Sequence, residues 1–499
     1  MKIAFNQIKM IACVSTMAKV LISLALGISS NILFAEKKVE SPNILFISID
    51  DLNDWIEPLG GHPNAITPNL NRLTKMGVSF ERAYCSAPAC NPSRVSIMTG
   101  IRPHKSGVYE NNSIWRNSPA LKNAKTLPQN FSENGYKVFG AGKIFHTNFP
   151  DPESWDHFWP SKKVQRPIPP LPPEGTSLNG MNTSHFDWGS VDFPVEEHSD
   201  WLVTDYIVDQ LSKSHDKPFF LACGIYYPHL PWYLPQEYLD RFPLDSIQLP
   251  KTIPGDLDDL PEAAKENIRF KDHQNVIEHG EWKKAVQAYL ASISFADECL
   301  GRVLDALKNG PHANNTYIVL WSDHGWNLGE KQHWRKFALW ENTVRVPLIF
   351  AGPDLPQGET RGAPANLIDV YPTLLNLAGL EIPKTLDGDS LVPLIEDDTA
   401  RLSAPSLTTW GKGNHSLRSD RWRYTRYSDG TEELYDHEND PHEWYNLADK
   451  TEHADLIQSF QKYLPTQEAD PTPGEAYSPP FFERLEEKRQ ILISEGFYK

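Results

Sequence analysis

The sequence contains little cysteine, and this scarcity excludes a disulfide-dense scaffold. Five cysteines occur among 499 residues: Cys13, Cys85, Cys90, Cys223 and Cys299. Exported domains that depend on cross-links carry many more for their size, so this chain must depend on its hydrophobic core. Apolar residues make up 40% of the chain and aromatic residues 11%, which is enough for a large core.

Positive charge is also scarce. The formal net charge is -17, which disfavours wholesale binding to nucleic acid or to an anionic membrane surface. An anionic substrate must therefore be held by a few well-placed cations. The sequence shows no internal repeat, which argues against a solenoid or a propeller.

The N-terminal segment lacks an apolar run long enough to cross a bilayer. Its run, Val20–Ile28, is short and is followed by serines. Three lysines and no acidic residue occur before Glu36. Residues 1–35 are therefore predicted to be a secretory signal cleaved after Ala35, so that the protein is exported, periplasmic or secreted, without stable membrane insertion.

Buried strands and amphipathic helices alternate along the chain. The apolar, β-branched runs predicted as strands are Asn43–Ile49, Pro218–Ile225, Thr316–Ser322 and Val346–Phe350. The clearest helical patterns are Asp200–Ser212 and Trp282–Leu307. This alternation predicts an α/β fold with a large, mostly parallel sheet between helices. Ligands of such sheets bind outside the carboxyl ends of the strands.

The character of the chain changes near residue 380. We predict a catalytic domain over residues 36–380 and a smaller α+β subdomain over residues 381–499. Ser428–Thr431 has the composition of a hairpin turn, which predicts a small antiparallel sheet, and a closing helix is expected at Ala454–Tyr463. The proline-rich stretch Pro167–Pro173 is predicted to be a stiff cleft wall.

Cys90 begins the most specific motif of the sequence. Cys90–Arg94 reads C-N-P-S-R, and Thr99-Gly100 follow it. This motif resembles the C-x-P-S-R signature of the type I, formylglycine-dependent sulfatases of the alkaline-phosphatase-like superfamily. The resemblance implies that a formylglycine-generating maturation enzyme oxidises Cys90 to an aldehyde, whose hydrate is the nucleophile. The alternatives are a free buried thiol or a disulfide with Cys85.

Two acidic motifs follow predicted strands. They are Asp50-Asp51 and Asp323-His324. Carboxylate oxygens suit calcium or magnesium, and with Cys90 these residues resemble the metal ligands of the family. His324 stands where many relatives have asparagine, which resembles the iduronate-2-sulfatase branch, and its imidazole also suits other divalent ions such as zinc or manganese. The alternative for the acid pair is a helix cap or turn.

The resemblance assigns roles to further residues. Arg94 would hold the formylglycine hydrate, Lys143 and Lys336 would bind sulfate, and His146 would take the proton that releases sulfate. His229 would protonate the leaving oxygen, because an imidazole titrates near neutral pH. Helical spacing of three would turn Lys143 and His146 toward one point.

These residues together predict a sulfuric ester hydrolase. The resemblance implies a sulfated polysaccharide or its oligosaccharides as substrate, with uronic-acid-containing glycans among the candidates. A phosphonate or phosphodiester hydrolase of the same superfamily is the alternative, because it shares the metal acids and the nucleophile. An inactive glycan-binding homologue ranks last, since it predicts a damaged site and every expected position is filled.

Overall fold

The computed structural model describes residues 41–173, 176–183, 185–475 and 479–498. The predicted signal segment, residues 1–35, lies outside them. From Pro42 onward the chain forms one compact unit, and the boundary predicted at residue 380 stays a prediction. Among the described residues, no helix combines the length and the apolar character needed to cross a bilayer.

An eight-stranded sheet forms the centre of the molecule. In chain order its strands are β1 (Asn43–Ile49), β2 (Gly77–Phe80), β3 (Lys137–Gly142), β4 (His157–Trp159), β5 (Phe219–Ile225), β6 (Thr316–Ser322), β7 (Leu348–Ala351) and β8 (Glu359–Arg361). Their order in the sheet is β8-β2-β7-β6-β1-β5-β3-β4. Five of the seven pairings are parallel, and β7 runs antiparallel to both neighbours. The predicted, mostly parallel sheet is confirmed.

The run predicted at Val346–Phe350 is the main departure. The strand begins at Leu348, and Val346 belongs to a separate short strand, Arg345–Val346, that pairs with Ala83–Tyr84. The hydrophobic pattern of a strand indicates its burial but not its direction, so parallel and antiparallel buried strands have similar sequences.

Several of the longer helices cover the faces of this sheet. The longer helices are α1 (Pro68–Met76), α2 (Cys90–Thr99), α3 (Leu127–Glu133), α4 (Ser199–Ser212), α5 (Phe270–Glu278), α6 (Trp282–Asn309), α7 (Val370–Leu377), α8 (Ala454–Gln461) and α9 (Phe481–Ser494). Helix α8 packs instead against the antiparallel sheet of the C-terminal part of the chain. Shorter helical segments are Pro103–Ser106, Gln236–Asp240, Glu262–Lys265, Glu341–Val344 and Val392–Glu396.

The packing of strand β1 explains why five of its seven residues are apolar. Leu45, Ile47 and Ile49 pack into a core that includes residues of α1, α4 and α6. Ile44 and Phe46 pack into a second core that includes residues of α2, α3 and α7. Because alternate side chains point to opposite faces and both faces are covered, the strand is mostly apolar, and its two polar side chains, Asn43 and Ser48, are buried with hydrogen-bond partners. Burial of each such side chain contributes about 1.5–3 kcal/mol.

A second, antiparallel sheet lies in the C-terminal part of the chain. It consists of β9 (Ser406–Thr409), β10 (His415–Arg418), β11 (Trp422–Arg426) and β12 (Glu432–Asp436), paired in that order. The turn between β11 and β12 contains Gly430 at a φ of 89°, as the hairpin composition predicts. The closing helix α8 ends at Gln461, two residues before its predicted end, whereas α9 was not predicted.

Further short strands lie outside these two sheets. Ala83–Tyr84 pairs with Arg345–Val346 and Ala365–Asn366, Asn327–Leu328 with Trp334–Arg335, and Trp188–Ser190 with Trp232–Leu234.

Candidate active site

Four adjacent parallel strands, in the order β6-β1-β5-β3, end at one edge of the sheet. The residues that directly follow β1 are Asp50 and Asp51, and those that follow β6 are Asp323 and His324. The backbone N–H of Asp51 donates to Asp323 Oδ1 at 3.1 Å, so the two predicted metal motifs meet. All four side chains are fully buried.

Helix α2 brings Cys90 to this edge. The helix begins at Cys90, and the N–H of Asn91 is satisfied by Asn111 Oδ1 at 2.9 Å. Pro92 lies in the first turn, where its missing N–H costs no helical hydrogen bond. Cys90 therefore lies at the positive end of a buried helix, an environment that favours anions.

Arg94 ties the two acidic motifs together. Its Nε lies 2.9 Å from Asp323 Oδ2, and its Nη2 lies 2.9 Å from Asp50 Oδ1. Its Nη1 donates to the carbonyl oxygen of Lys143 at 2.7 Å. Although burial opposes the charge, Asp323 and Asp50 raise the pKa of Arg94. In turn, despite its burial, Asp323 has a pKa well below its usual range because of Arg94.

Lys143 directly follows β3 and points at Cys90. Its Nζ contacts Asp50 Oδ2 and lies 3.5 Å from Cys90 Sγ. Gly224 in β5 makes this placement possible, because a Cβ at that position would collide with the Lys143 backbone. Burial alone would raise the pKa of Asp50, but Lys143 and Arg94 lower it below its usual value.

The segment from Lys143 to His146 is irregular and not helical, so the spacing argument for this pair was wrong. Both residues nevertheless line one cavity. Nδ1 of His146 is buried without a hydrogen-bond partner among the described residues. Burial and the charge of Lys143 hold the pKa of His146 well below its usual value, so the imidazole is neutral and able to accept a proton.

Lys336 reaches the site from a strained loop. Its Nζ lies 2.7 Å from Asp51 Oδ1 and 2.8 Å from Cys90 Sγ. Its neighbours Arg335 and Phe337 have φ values of 73° and 81°, a region that costs non-glycine residues about 1–3 kcal/mol. Such strain persists where the surrounding structure holds the chain in place, and here the strained loop places Lys336 beside Cys90.

His333 supports this loop from behind. Its Nδ1 accepts the N–H of Arg269 at 3.2 Å, so its Nε2 carries the proton and donates to the Lys336 carbonyl oxygen at 2.9 Å. Burial lowers the pKa of His333 to about 3, which keeps the ring neutral. His333 is not among the residues that line the cavity at Cys90.

His324 is oriented as a metal ligand. Its Nδ1 lies 3.0 Å from the carbonyl oxygen of Gly325, and its Nε2 lies 3.3 Å from both Cys90 Sγ and Asp51 Oδ1. A proton on Nδ1 leaves the Nε2 lone pair facing these ligand atoms.

His229 lies on the other side of Asp51. Its Nδ1 donates to the carbonyl oxygen of Leu230 at 2.6 Å, and its Nε2 lies 3.8 Å from Asp51 Oδ2. Burial, then Lys143 and Lys336, hold the pKa of His229 well below its usual value. A sulfate ester bound beside the two lysines would offset their charge and raise this pKa.

The site fits a divalent cation. Ligand atoms of Asp51, Cys90, Asp323 and His324 lie within 4.8 Å of one another. Asp51 Oδ2 is buried and accepts no hydrogen bond from any described residue. Burial, only partly offset by Lys336, raises the pKa of Asp51 to about 7, as expected for a carboxylate that lacks a second cation.

A cavity of about 240 Å³ opens above Cys90. The predicted cleft wall contributes Pro167 to it, and helix α9 contributes Phe481, Arg484, Leu485 and Lys488. The contribution of α9 was missed, although its buried residues Phe481, Leu485 and Leu492 recur at helical spacing between charged residues. A larger cavity, about 810 Å³, lies between Asp54 and His442 and contains none of the predicted site residues.

Cys90 differs from the other described cysteines in its electrostatic environment. Cys85, Cys90, Cys223 and Cys299 are all buried free thiols, so the disulfide considered between Cys85 and Cys90 is not formed. Burial raises the pKa of each of them. Only at Cys90 do two lysines partly counteract this effect.

Comparison with known proteins gives the family. The family model described as Sulfatase matches residues 42–380, and the model described as N-sulphoglucosamine sulphohydrolase, C-terminal, matches residues 329–470. A protein of Formosa agariphila named sulfatase is 41% identical over 476 residues, which cover 90% of this chain and 92% of the relative. The chain belongs to the sulfatase family.

One further relative agrees with this assignment in sequence, and one solved structure agrees with it in fold. Human iduronate 2-sulfatase is 31% identical over 407 residues, covering 70% of this chain and 71% of the relative. A protein solved in complex with its substrate, D-glucosamine-2-N,6-O-disulfate, superposes with a TM-score of 0.69 at 22% identity, over 85% of this chain and 97% of that one. The predicted family, fold class and enzyme class, a sulfuric ester hydrolase, are confirmed.

Proposed function

We propose that this sulfatase is exported, that Cys90 is matured to formylglycine, and that the enzyme hydrolyses sulfate esters of a sulfated polysaccharide or its oligosaccharides. The observation that carries the proposal is the position of Cys90 Sγ, 3.5 Å from Lys143 Nζ and 2.8 Å from Lys336 Nζ. A nucleophile formed from the Cys90 side chain would therefore lie beside two ammonium groups that can bind a sulfate anion.

The charges of the site support catalysis on a sulfate ester. Three buried carboxylates, Asp50, Asp51 and Asp323, face three buried cations, Arg94, Lys143 and Lys336. Because the set is balanced, a divalent cation and an anionic ester can enter together without leaving a large net charge. Asp50, Asp51, Asp323 and His324, together with the side chain at Cys90, would hold the ion, with Ca²⁺ or Mg²⁺ favoured by the oxygen ligands.

The formylglycine hydrate and the divalent cation would each supply one kind of chemistry. The hydrated aldehyde at Cys90 would supply the oxygen that attacks sulfur, and the bound cation would polarise that oxygen and disperse negative charge. The remaining work falls to side chains of the chain itself. Lys143 and Lys336 bind the sulfate oxygens, Arg94 fixes the carboxylates, and His229 faces the position of the leaving oxygen.

The two histidines divide the proton transfers. His146 is neutral, which suits the group that accepts a proton when sulfate is released. His229 Nε2 points toward Asp51 and the cavity, since its Nδ1 is engaged by the chain. His229 would therefore supply its proton from Nε2, on the side that faces the cavity.

The glycan substrate is supported by the relatives. The human relative is named for iduronate, and the superposed structure was solved with a disulfated glucosamine. Export is supported by the pattern of lysines, apolar residues and Ala35 at the N-terminus.

One experiment tests the chemistry. The full chain is produced in a host that has the maturation enzyme, the peptide containing Cys90 is examined by mass spectrometry, and hydrolysis of aryl sulfate, aryl phosphate and phosphonate esters is compared. We expect an aldehyde at Cys90, preference for sulfate, and no turnover by a folded Cys90→Ala variant. Turnover by Cys90→Ala would refute the covalent scheme, and preference for phosphonate would favour the alternative hydrolase.

A further inference from the structure

The cavity above Cys90 carries far more positive charge than one sulfate requires. Six cationic side chains line it: Lys143, Arg166, Arg335, Lys336, Arg484 and Lys488. None of the described residues that line it is acidic. In a protein with a net charge of -17, this local excess of cations identifies a surface built for anions.

Only part of this charge is neutralised by carboxylates. Lys143 and Lys336 are paired with Asp50 and Asp51, and Arg335 lies 2.7 Å from Asp272. Among residues 41–173, 176–183, 185–475 and 479–498, no carboxylate lies within ion-pair distance of Arg166 or Lys488.

Arg166 is held in place although no described carboxylate forms an ion pair with it. It is buried, its Nη1 donates to Ser199 Oγ at 2.8 Å, and its guanidinium lies 3.5 Å from the centre of the Tyr226 ring. Burial raises the pKa of Asp200, and the charge of Arg166 partly opposes this shift. Lys143 also contacts the Tyr226 ring, with its Nζ 5.3 Å from the same centre. One aromatic ring therefore contacts both Arg166 and the lysine predicted to bind sulfate.

Lys488 completes this second group of cations from helix α9. Burial, then Arg166, Arg484 and Lys143, lower the pKa of Lys488 to about 7, and its neighbour Glu487 only partly opposes them. The cations repel one another in the free enzyme, and an anion placed among them would remove that repulsion.

We infer that Arg166 and Lys488 form a second oxyanion site, which binds an additional anionic group of the substrate beside the sulfate that is cleaved. The group is a carboxylate or a second sulfate, borne by the sulfated sugar or by the sugar next to it. This inference rests on the proposed function. It specifies in addition that the substrate carries a second negative charge. An aryl sulfate or a neutral monosulfated sugar leaves this second site unfilled.

The test compares substrates that differ by one charge. A neutral monosulfated glycoside, a sulfated uronoside and a disulfated glycoside are compared at fixed ionic strength, with the sulfate at each ring position in turn. For the wild type, we expect kcat/KM to be at least about tenfold higher for one of the doubly charged substrates than for the neutral one. Which of the two is preferred distinguishes a carboxylate from a sulfate.

The variants assign this preference to residues. Lys488→Gln and Arg166→Gln are each expected to reduce the ratio of the two kcat/KM values about tenfold. Arg489→Gln is the matched control, since Arg489 is the next residue of α9, is exposed, pairs with Glu486 and does not line this cavity. It should leave the ratio and the overall rate unchanged. Lys488 is half-buried on the outer helix, so Lys488→Gln remains informative if Arg166→Gln does not fold.

A binding measurement separates this inference from the proposed function. In the Cys90→Ala background, which does not turn over, calorimetry with the same sugars should show weaker binding of the doubly charged sugar after Lys488→Gln. If the wild type hydrolyses sulfate esters with equal kcat/KM for neutral and doubly charged sugars, the second site is refuted and the function stands. If no sulfate ester is hydrolysed while Lys488 still controls binding of the doubly charged sugar, the proposed function fails and the second site stands.

Discussion

Lys336 and Cys90 are 246 positions apart in the chain, yet Lys336 Nζ lies 2.8 Å from Cys90 Sγ. The same ammonium lies 2.7 Å from Asp51 Oδ1, so one side chain contacts both the predicted nucleophile and a predicted metal ligand. The opposite charge raises the pKa of Lys336, although burial opposes this shift. The lysine is therefore held in its charged form, which suits a sulfate-binding group.

This arrangement depends on how the loop of Lys336 is held. The two positive φ values beside Lys336 would relax if the loop were free, and His333 and Pro88 anchor it, the latter by accepting the N–H of Phe337 at 3.1 Å. The catalytic geometry is thus stabilised by residues that touch neither substrate nor metal.

His333 offers the first prediction. His333→Ala removes the hydrogen bond to the Lys336 carbonyl oxygen, and we expect kcat/KM to fall about ten- to a hundredfold because small displacements of binding groups are costly. His333→Gln, whose amide can donate to the same oxygen, should recover part of the loss. The measurement is steady-state hydrolysis of an aryl sulfate, with His312→Ala as control, because His312 is only half-buried and does not line the cavity above Cys90. Equal losses in the alanine and glutamine variants would show that His333 matters only for folding.

Arg94 offers a prediction on stability. Arg94→Met leaves Asp50 and Asp323 as buried carboxylates without their shared partner, and the free energy of unfolding should fall by about 3–5 kcal/mol. Urea titration followed by fluorescence measures the change. Arg72→Met is the comparison, because Arg72 pairs with Asp305 at the surface and should cost about 0–1 kcal/mol. Similar losses in both variants would contradict a buried network at the site.

Much of the site was predictable because strand ends and short motifs determine it locally. Asp50 and Asp323 each directly follow an apolar run, and neighbouring parallel strands bring such ends together. Cys90 and Arg94 lie on one helix, so their relative position follows from the motif. Lys143 reaches the site although the segment after it is irregular, since the end of β3 and not a helix positions it.

The rest was not predictable because it depends on long-range packing. His333 acts through a backbone carbonyl, a contact that leaves no motif in the sequence. Helix α9 has an ordinary amphipathic pattern, and nothing in it indicates that Lys488 lines the cavity above Cys90, which is far away in the sequence. The direction of β7 is likewise set by its neighbours β2 and β6 and not by its composition.

Removal of the metal gives the third prediction. Treatment with a chelator should lower the melting temperature and abolish activity, and Ca²⁺ or Mg²⁺ should restore both. At a free ion concentration one hundred times the Kd, binding adds about 2.7 kcal/mol to the free energy of unfolding. Asp51→Asn should abolish the ion-dependent part of the melting shift, since it removes the carboxylate that has an unsatisfied buried oxygen. An unchanged shift in Asp51→Asn would mean that the ion binds elsewhere.

The pKa of Lys488 makes substrate selectivity dependent on pH. With that pKa at about 7, Lys488 is charged below pH 7 and neutral above it, so the preference for a doubly charged sugar should fall as the pH rises through 7. The ratio of kcat/KM for the doubly charged and neutral sugars isolates this effect, because titration of His146 and His229 is shared by both substrates and cancels. Lys488→Arg keeps its charge and should hold the ratio constant up to pH 8.5, whereas Arg489→Gln should follow the wild type. Two results would exclude Lys488 as the titrating group that binds the second anion. One is a ratio that does not change with pH in the wild type, and the other is a ratio that falls equally with pH in Lys488→Arg.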